Sequence, residues 1–324
     1  MKSKSGIIFI FFFLICSSWI TVYGQQMPKF QSDSAYFFLE RQLQFGYRIP
    51  GTAAHLQTRD YFIEILKKFG LEVSIQEFNA EIYNGENFAF YNIIGSINPE
   101  QEERILLAAH YDTRLWADKD PDLSDQPLPG ANDGASGPAV LLEMARLIQE
   151  FPPEIGVDMI FFDGEDYGPP EGFKRKVTIE NAGKIFWCLG SQYWSKHPHQ
   201  EGYEATLAIV LDMVGAKNAT FYMEGGSMQF ASKYVKRIWK IADEIGHEDY
   251  FIRKRSGGIM DDHIFISKRG IPAVDIIDHN LKGEFFKDYH HTQKDNLNLI
   301  SKNTLQAVGD VLVSIIYRYQ QKFF

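Results

Sequence analysis

Short apolar runs recur along the chain, and each ends on a polar cluster. Residues 105–109 lead into His110-Tyr111-Asp112, and 157–162 into Asp163-Gly164-Glu165-Asp166. Residues 207–211 lead into Asp212, and 272–277 into Asp278-His279. Runs this short and this apolar read as strands buried on both faces. Helical periods intervene. Val140, Leu141, Met144 and Ile148 share one helix face; Leu305, Val308, Leu312 and Ile315 share another. Upstream, about 32–45 and 54–69 read as amphipathic helices, the second closed by Gly70. Segments 71–81 and 88–97 read as further strands. Alternating strands and helices predict an α/β fold: three layers, α/β/α, around a central mixed, mostly parallel twisted sheet.

The N-terminus follows a different pattern. Lys2 and Lys4 precede an apolar run over 7–16, then Ser17, Ser18 and a short tail to Gly24. This predicts a signal peptide over 1–24 and leaves residues 25–324 as a single domain. The chain is then exported, periplasmic or secreted, with an uncleaved membrane anchor as the alternative. The 324 residues carry 33 Lys+Arg against 42 Asp+Glu, net −9, with 45% hydrophobic residues. That composition excludes a disordered or multispan membrane chain. An acidic chain without basic blocks offers nucleic acid no electrostatic footprint. Removal of 1–24 would leave Cys188 as the one cysteine, among Phe186, Trp187 and Leu189, which reads as a buried, inert thiol.

In a parallel α/β sheet, ligand chemistry gathers beyond the carboxyl ends of the strands. There the apolar runs deliver His110, Glu165, Asp166 and Asp212. Asn132-Asp133-Gly134 adds a turn, and Asp261-Asp262-His263 a helix start. Carboxylates gathered at one place repel unless a cation or shared protons intervene. With imidazoles among them they form an oxygen/nitrogen donor set that suits zinc. Adjacent Glu165 and Asp166 can divide the work, one holding metal and the other moving protons. Insertions over 114–129 and 167–186 are polar, marked by Pro and Gly, and predict walls for the site.

His110-Tyr111-Asp112, the stretch 130–137, 161–166 and 211–215 together resemble the zinc aminopeptidase (M28-like) superfamily, with its phosphorylase/hydrolase-like fold. His291-Thr292 fits that family's last ligand. Ile259-Met260-Asp261-Asp262-His263 and the stretch from Trp187 to Trp194 make the chain more similar to the glutaminyl cyclases, bacterial type. Such enzymes close N-terminal glutamine of peptides and proteins into pyroglutamate and release ammonia. The resemblance implies one Zn²⁺ on Asp133, Asp166 and His291. It implies Glu165 as proton shuttle, with Asp212 and Asp261 in its hydrogen-bond network. His110, Asp112 and Asp262 fall behind these or at a second metal, with Asp112 orienting His110. Where relatives carry a tryptophan before the last ligand, Tyr289-His290 stand here. Trp187, Trp194, Tyr289 and His290 are therefore the candidates for the substrate wall, and His290 is an alternative ligand. The competing reading is a di-zinc aminopeptidase, with His110, Asp133, Asp166, Asp212 and His291 holding two metals.

Overall fold

The computed structural model describes residues 27–170, 172–173 and 183–320. The expected signal segment lies outside these residues. Among the described residues, no helix is long and apolar enough to cross a membrane.

Six strands form the central sheet: β1 (Glu72–Glu81), β2 (Asn87–Ile97), β3 (Arg104–His110), β4 (Gly156–Phe162), β5 (Leu207–Asp212) and β8 (Ala273–Ile277). Their order is β1-β2-β4-β3-β5-β8. The pairs β4/β3, β3/β5 and β5/β8 are parallel, while β1/β2 and β2/β4 are antiparallel. The sheet is thus mixed and mostly parallel in its site-bearing half. All four runs expected as buried strands are observed, and β3, β4, β5 and β8 are buried along their whole length.

Period-two alternation divides each strand between two cores. Ile105, Leu107 and Ala109 face one side, with Val140, Met144, Val308 and Leu312. That layer holds α1 (Ser32–Phe45), α2 (Ala53–Lys68), α3 (Ser136–Glu150), α6 (Ser232–Glu244) and α8 (Lys302–Gln320). Leu106 and Ala108 face the other side, with Trp194 and Ile266. These belong to α4 (Leu189–Lys196) and α7 (Asp262–Lys268). Three layers result, as the sequence predicts.

One element was not legible beforehand. A two-stranded parallel ribbon pairs β6 (Phe221–Met223) with β7 (Phe251–Arg255), followed and preceded by α5 (Gly225–Phe230) and α6. Three residues of β6 and a run reading Phe-Ile-Arg-Lys-Arg carry too little apolar periodicity to register as strands.

Candidate active site

The carboxyl ends of β3, β4 and β5 open together, and the loops beyond them are tied down by buried side chains. Asp112, just past β3, accepts the backbone N–H groups of Glu165 and Asp166, both at 3.1 Å. It therefore fixes the turn after β4. Its Oδ1 also faces His110 Nδ1, at 3.6 Å. Arg48, fully buried, donates to the Tyr111 carbonyl at 2.8 Å and the Gly130 carbonyl at 2.6 Å. Asp295 accepts from the N–H groups of Asn132 (2.6 Å) and Asp133 (3.0 Å), which aims the Asp133 side chain. Gly134 has φ +98, and a Cβ there would collide with the Asp112 carbonyl, so only glycine closes this turn.

His291 Nε2 lies 3.2 Å from Asp166 Oδ1 and 3.7 Å from Asp133 Oδ2. Its other nitrogen, Nδ1, faces Asp118 Oδ1 at 3.3 Å. A carboxylate behind the imidazole, with Nε2 aimed at two more, is how a metal-binding histidine is oriented. Asp166 Oδ2 is buried without a hydrogen-bond partner. The donor set therefore fits a zinc ion at Asp133, Asp166 and His291. His290 is also close to Asp133, but its Nδ1 meets Lys119 Nζ at 2.8 Å and its ring stacks between Phe286 and His291. Burial and its cationic neighbours His291, Lys119 and Arg114 push the His290 pKa well down. Asp118 went unnoticed in the sequence. Its signal was Arg114 four residues earlier, whose guanidinium grips both its oxygens at 2.7 and 2.9 Å.

A second group forms beside the first. His110 Nε2 sits 3.1 Å from Asp212 Oδ1 and 3.2 Å from Asp133 Oδ1. Burial opposes charge on this imidazole, but Asp112, Asp133 and Asp212 outweigh it and raise its pKa well above the ordinary value. The third group joins Glu165, Asp261 and Cys188, whose polar atoms lie within 4.8 Å of one another. Glu165 is held well above the usual carboxylate range by burial, then by the charges of Asp166, Asp261 and Asp262. Burial and Asp212 push Asp261 up to about 6. Asp261 caps α7 by accepting the Asp262 N–H. Asp262 is buried behind it, its pKa driven well up by burial and by Asp261.

All three groups border one cavity of about 440 Å³. Trp187, Phe286 and Met260 supply its apolar surface, and Arg114, Asp118 and Lys119 from the first insertion line it as expected. Trp187 lies flat against the chain at Gly168, where any Cβ would overlap the indole. The Arg114 guanidinium covers its ring at 4.9 Å. Two wall assignments are overturned. Trp194 is fully buried against Phe162 and Tyr203 on the far layer, with its Nε1 donating to His199. The helix α4 turns it onto the sheet, leaving Trp187, just before the helix, for the cavity. Tyr289 is buried too: its hydroxyl donates to Asp278 Oδ2 at 2.5 Å and accepts from Asn132 Nδ2 at 3.1 Å. It braces the loops and does not line the cavity.

Three comparisons bear on this geometry. The family described as Peptidase family M28 matches residues 92–316. A zinc-dependent exopeptidase from Parabacteroides distasonis has 45% identity and a TM-score of 0.86, covering 90% of this chain and 99% of that one. The glutaminyl cyclase of Bacteroides thetaiotaomicron, solved bound to N-acetylhistamine, has 44% identity and a TM-score of 0.85 over the same shares. The glutaminyl-peptide cyclotransferase of Bos taurus is 24% identical over 307 residues, 84% of this chain and 78% of that protein. Strand ends, a donor set suited to zinc and these likenesses agree: the chain belongs to peptidase family M28, in the group that includes the bacterial glutaminyl cyclases.

Proposed function

We propose that this protein is a zinc-dependent glutaminyl-peptide cyclotransferase, converting N-terminal glutamine of peptides and proteins to pyroglutamate with release of ammonia. The observation that carries the reading is the placement of Glu165. It is a buried carboxylate with a raised pKa, outside the proposed metal donors yet next to Asp166, and it lines the cavity.

Asp133, Asp166 and His291 would hold one zinc ion, which when bound supplies a Lewis acid to polarise the γ-carboxamide carbonyl. The remaining work falls to the chain. Trp187, packed under Arg114, forms a flat wall that confines the glutamine side chain and favours the folded-back conformer. In that conformer the substrate's α-nitrogen reaches its own Cδ. The N–Cδ bond forms, the bond from Cδ to the amide nitrogen breaks, and ammonia leaves. Glu165 accepts a proton from the attacking nitrogen and returns it to the departing one. Asp261 and Asp212 keep the proton within this cluster, their raised pKa values matching a shared-proton role. His110 Nε2 meets Asp212 at 3.1 Å and Asp133 at 3.2 Å, so this imidazole lies where a second metal would have to bind, which supports one zinc. The signal segment expected over 1–24 supports peptide substrates outside the cytoplasm.

Incubation with a Gln-peptide and with leucine amide, in parallel, tests the proposal. Ammonia with a pyroglutamyl product from the first, no free leucine from the second, and one zinc per chain by mass spectrometry are expected. Leucine release with two zinc ions and no cyclisation would establish the aminopeptidase instead.

A further inference from the structure

The thiol of Cys188 is buried, as expected, but its surroundings are not apolar alone. Sγ donates to Glu165 Oε1 at 3.2 Å, with both residues buried. The backbones of the same two segments are also joined, Cys188 N–H to the Glu165 carbonyl at 2.8 Å and Leu189 N–H to the Gly164 carbonyl at 3.0 Å. Burial first, then the charges of Glu165, Asp262 and Asp261, push the thiol pKa well up, so the group stays a donor. Its backbone is left-handed, φ 59 and ψ 40. Glycine takes that conformation freely, whereas any residue with a Cβ is strained in it. The position is thus occupied by a side chain that the local backbone disfavours, and that side chain points at the proton shuttle.

We propose that Cys188 is a positioning residue for the cyclisation: its S–H bond fixes one oxygen of Glu165 and leaves the other for the substrate's nitrogen. This rests on the reading of Glu165 given above. A thiol is a weak donor, but in a site shielded from water even a weak bond to a carboxylate restricts its rotamers.

The test compares zinc-loaded wild-type protein with Cys188→Ser, Cys188→Ala and Cys188→Gly, measuring kcat, KM, zinc content and melting temperature. Serine keeps a donor, so its kcat should stay within about threefold of wild type. Alanine and glycine both lose it, and each should lower kcat about tenfold with KM and zinc unchanged. Glycine also relieves the backbone, so Cys188→Gly should melt above Cys188→Ala while remaining equally slow. Wild-type kcat in either variant, or rates that rank with melting temperature, would overturn the proposal. The rates are read on whichever substrate wild type turns over. Wild type hydrolysing only leucine amide would sink the cyclase reading and still leave the thiol's effect on Glu165 measurable.

Discussion

Glu165 shows how one side chain's surroundings set its chemistry. An exposed glutamate would be a weak base at neutral pH, with little tendency to hand a proton on. Burial and three neighbouring carboxylates raise its pKa, which brings it towards the range where accepting and releasing a proton are both accessible. Glu165→Gln keeps shape and removes that exchange; kcat should fall about 10³-fold with zinc content unchanged, measured by ammonia release and metal analysis. The pH profile carries the same signature. A raised pKa means the proton persists to higher pH than on an exposed glutamate, so the basic form appears later as pH rises. The acid limb of kcat/KM should therefore lie above the ordinary carboxylate range, as it does for Asp261 in the same cluster, pushed up to about 6. A limb in the ordinary carboxylate range would mean that the cluster ionises as though exposed.

Loops and short helices decide which residues meet the substrate, and this is where sequence reasoning was least complete. The ends of β3, β4 and β5 were legible because an apolar run stopping at a carboxylate or imidazole is a strong pattern. The start of α7 at Asp261 was legible as a helix start. The aromatic wall was not. Trp187 and Trp194 lie seven positions apart in one stretch, but only Trp194 belongs to the eight-residue α4, while Trp187 precedes it across the left-handed Cys188. So short a helix gives no periodicity from which to read its phase. Asp118 was hidden for a related reason: it sits in an irregular insertion, and its partner His291 is far along the chain. The seat of Trp187 yields a prediction at this scale. Gly168→Ala places a methyl where the indole lies, displacing the wall, and the three nearest atoms it would meet all belong to Trp187. Steady-state kinetics should show kcat/KM reduced roughly ten- to a hundredfold, chiefly through KM, with zinc retained.

Across the whole molecule, the two-core sheet was readable from composition and alternation, whereas the β6/β7 ribbon and its ties were not. Glu224, before α5, joins these parts. Its carboxylate accepts the N–H groups of Gly226, Ser227 and Ile259, and faces His263 at 3.2 Å. Burial opposes its charge, but His263 and these amides prevail and lower its pKa to about 2. A depressed carboxylate pKa adds stability that is full above the unfolded value, near 4.5, and is lost as pH falls towards 2. Thermal melts between pH 6 and pH 3 should decline more steeply for wild type than for Glu224→Gln. Parallel curves would remove Glu224 from the acid response.

The proposed zinc donors arise from three distant stretches: the turn before α3, the turn after β4, and a loop beyond β8, the last strand to join the sheet. A nascent or truncated polypeptide lacking residue 291 has two of the three. Tight occupancy by the ion can therefore serve as a reporter that synthesis has run to its final strand and that every crossover has been completed, which a chelator-release assay on nested fragments would read as a single step.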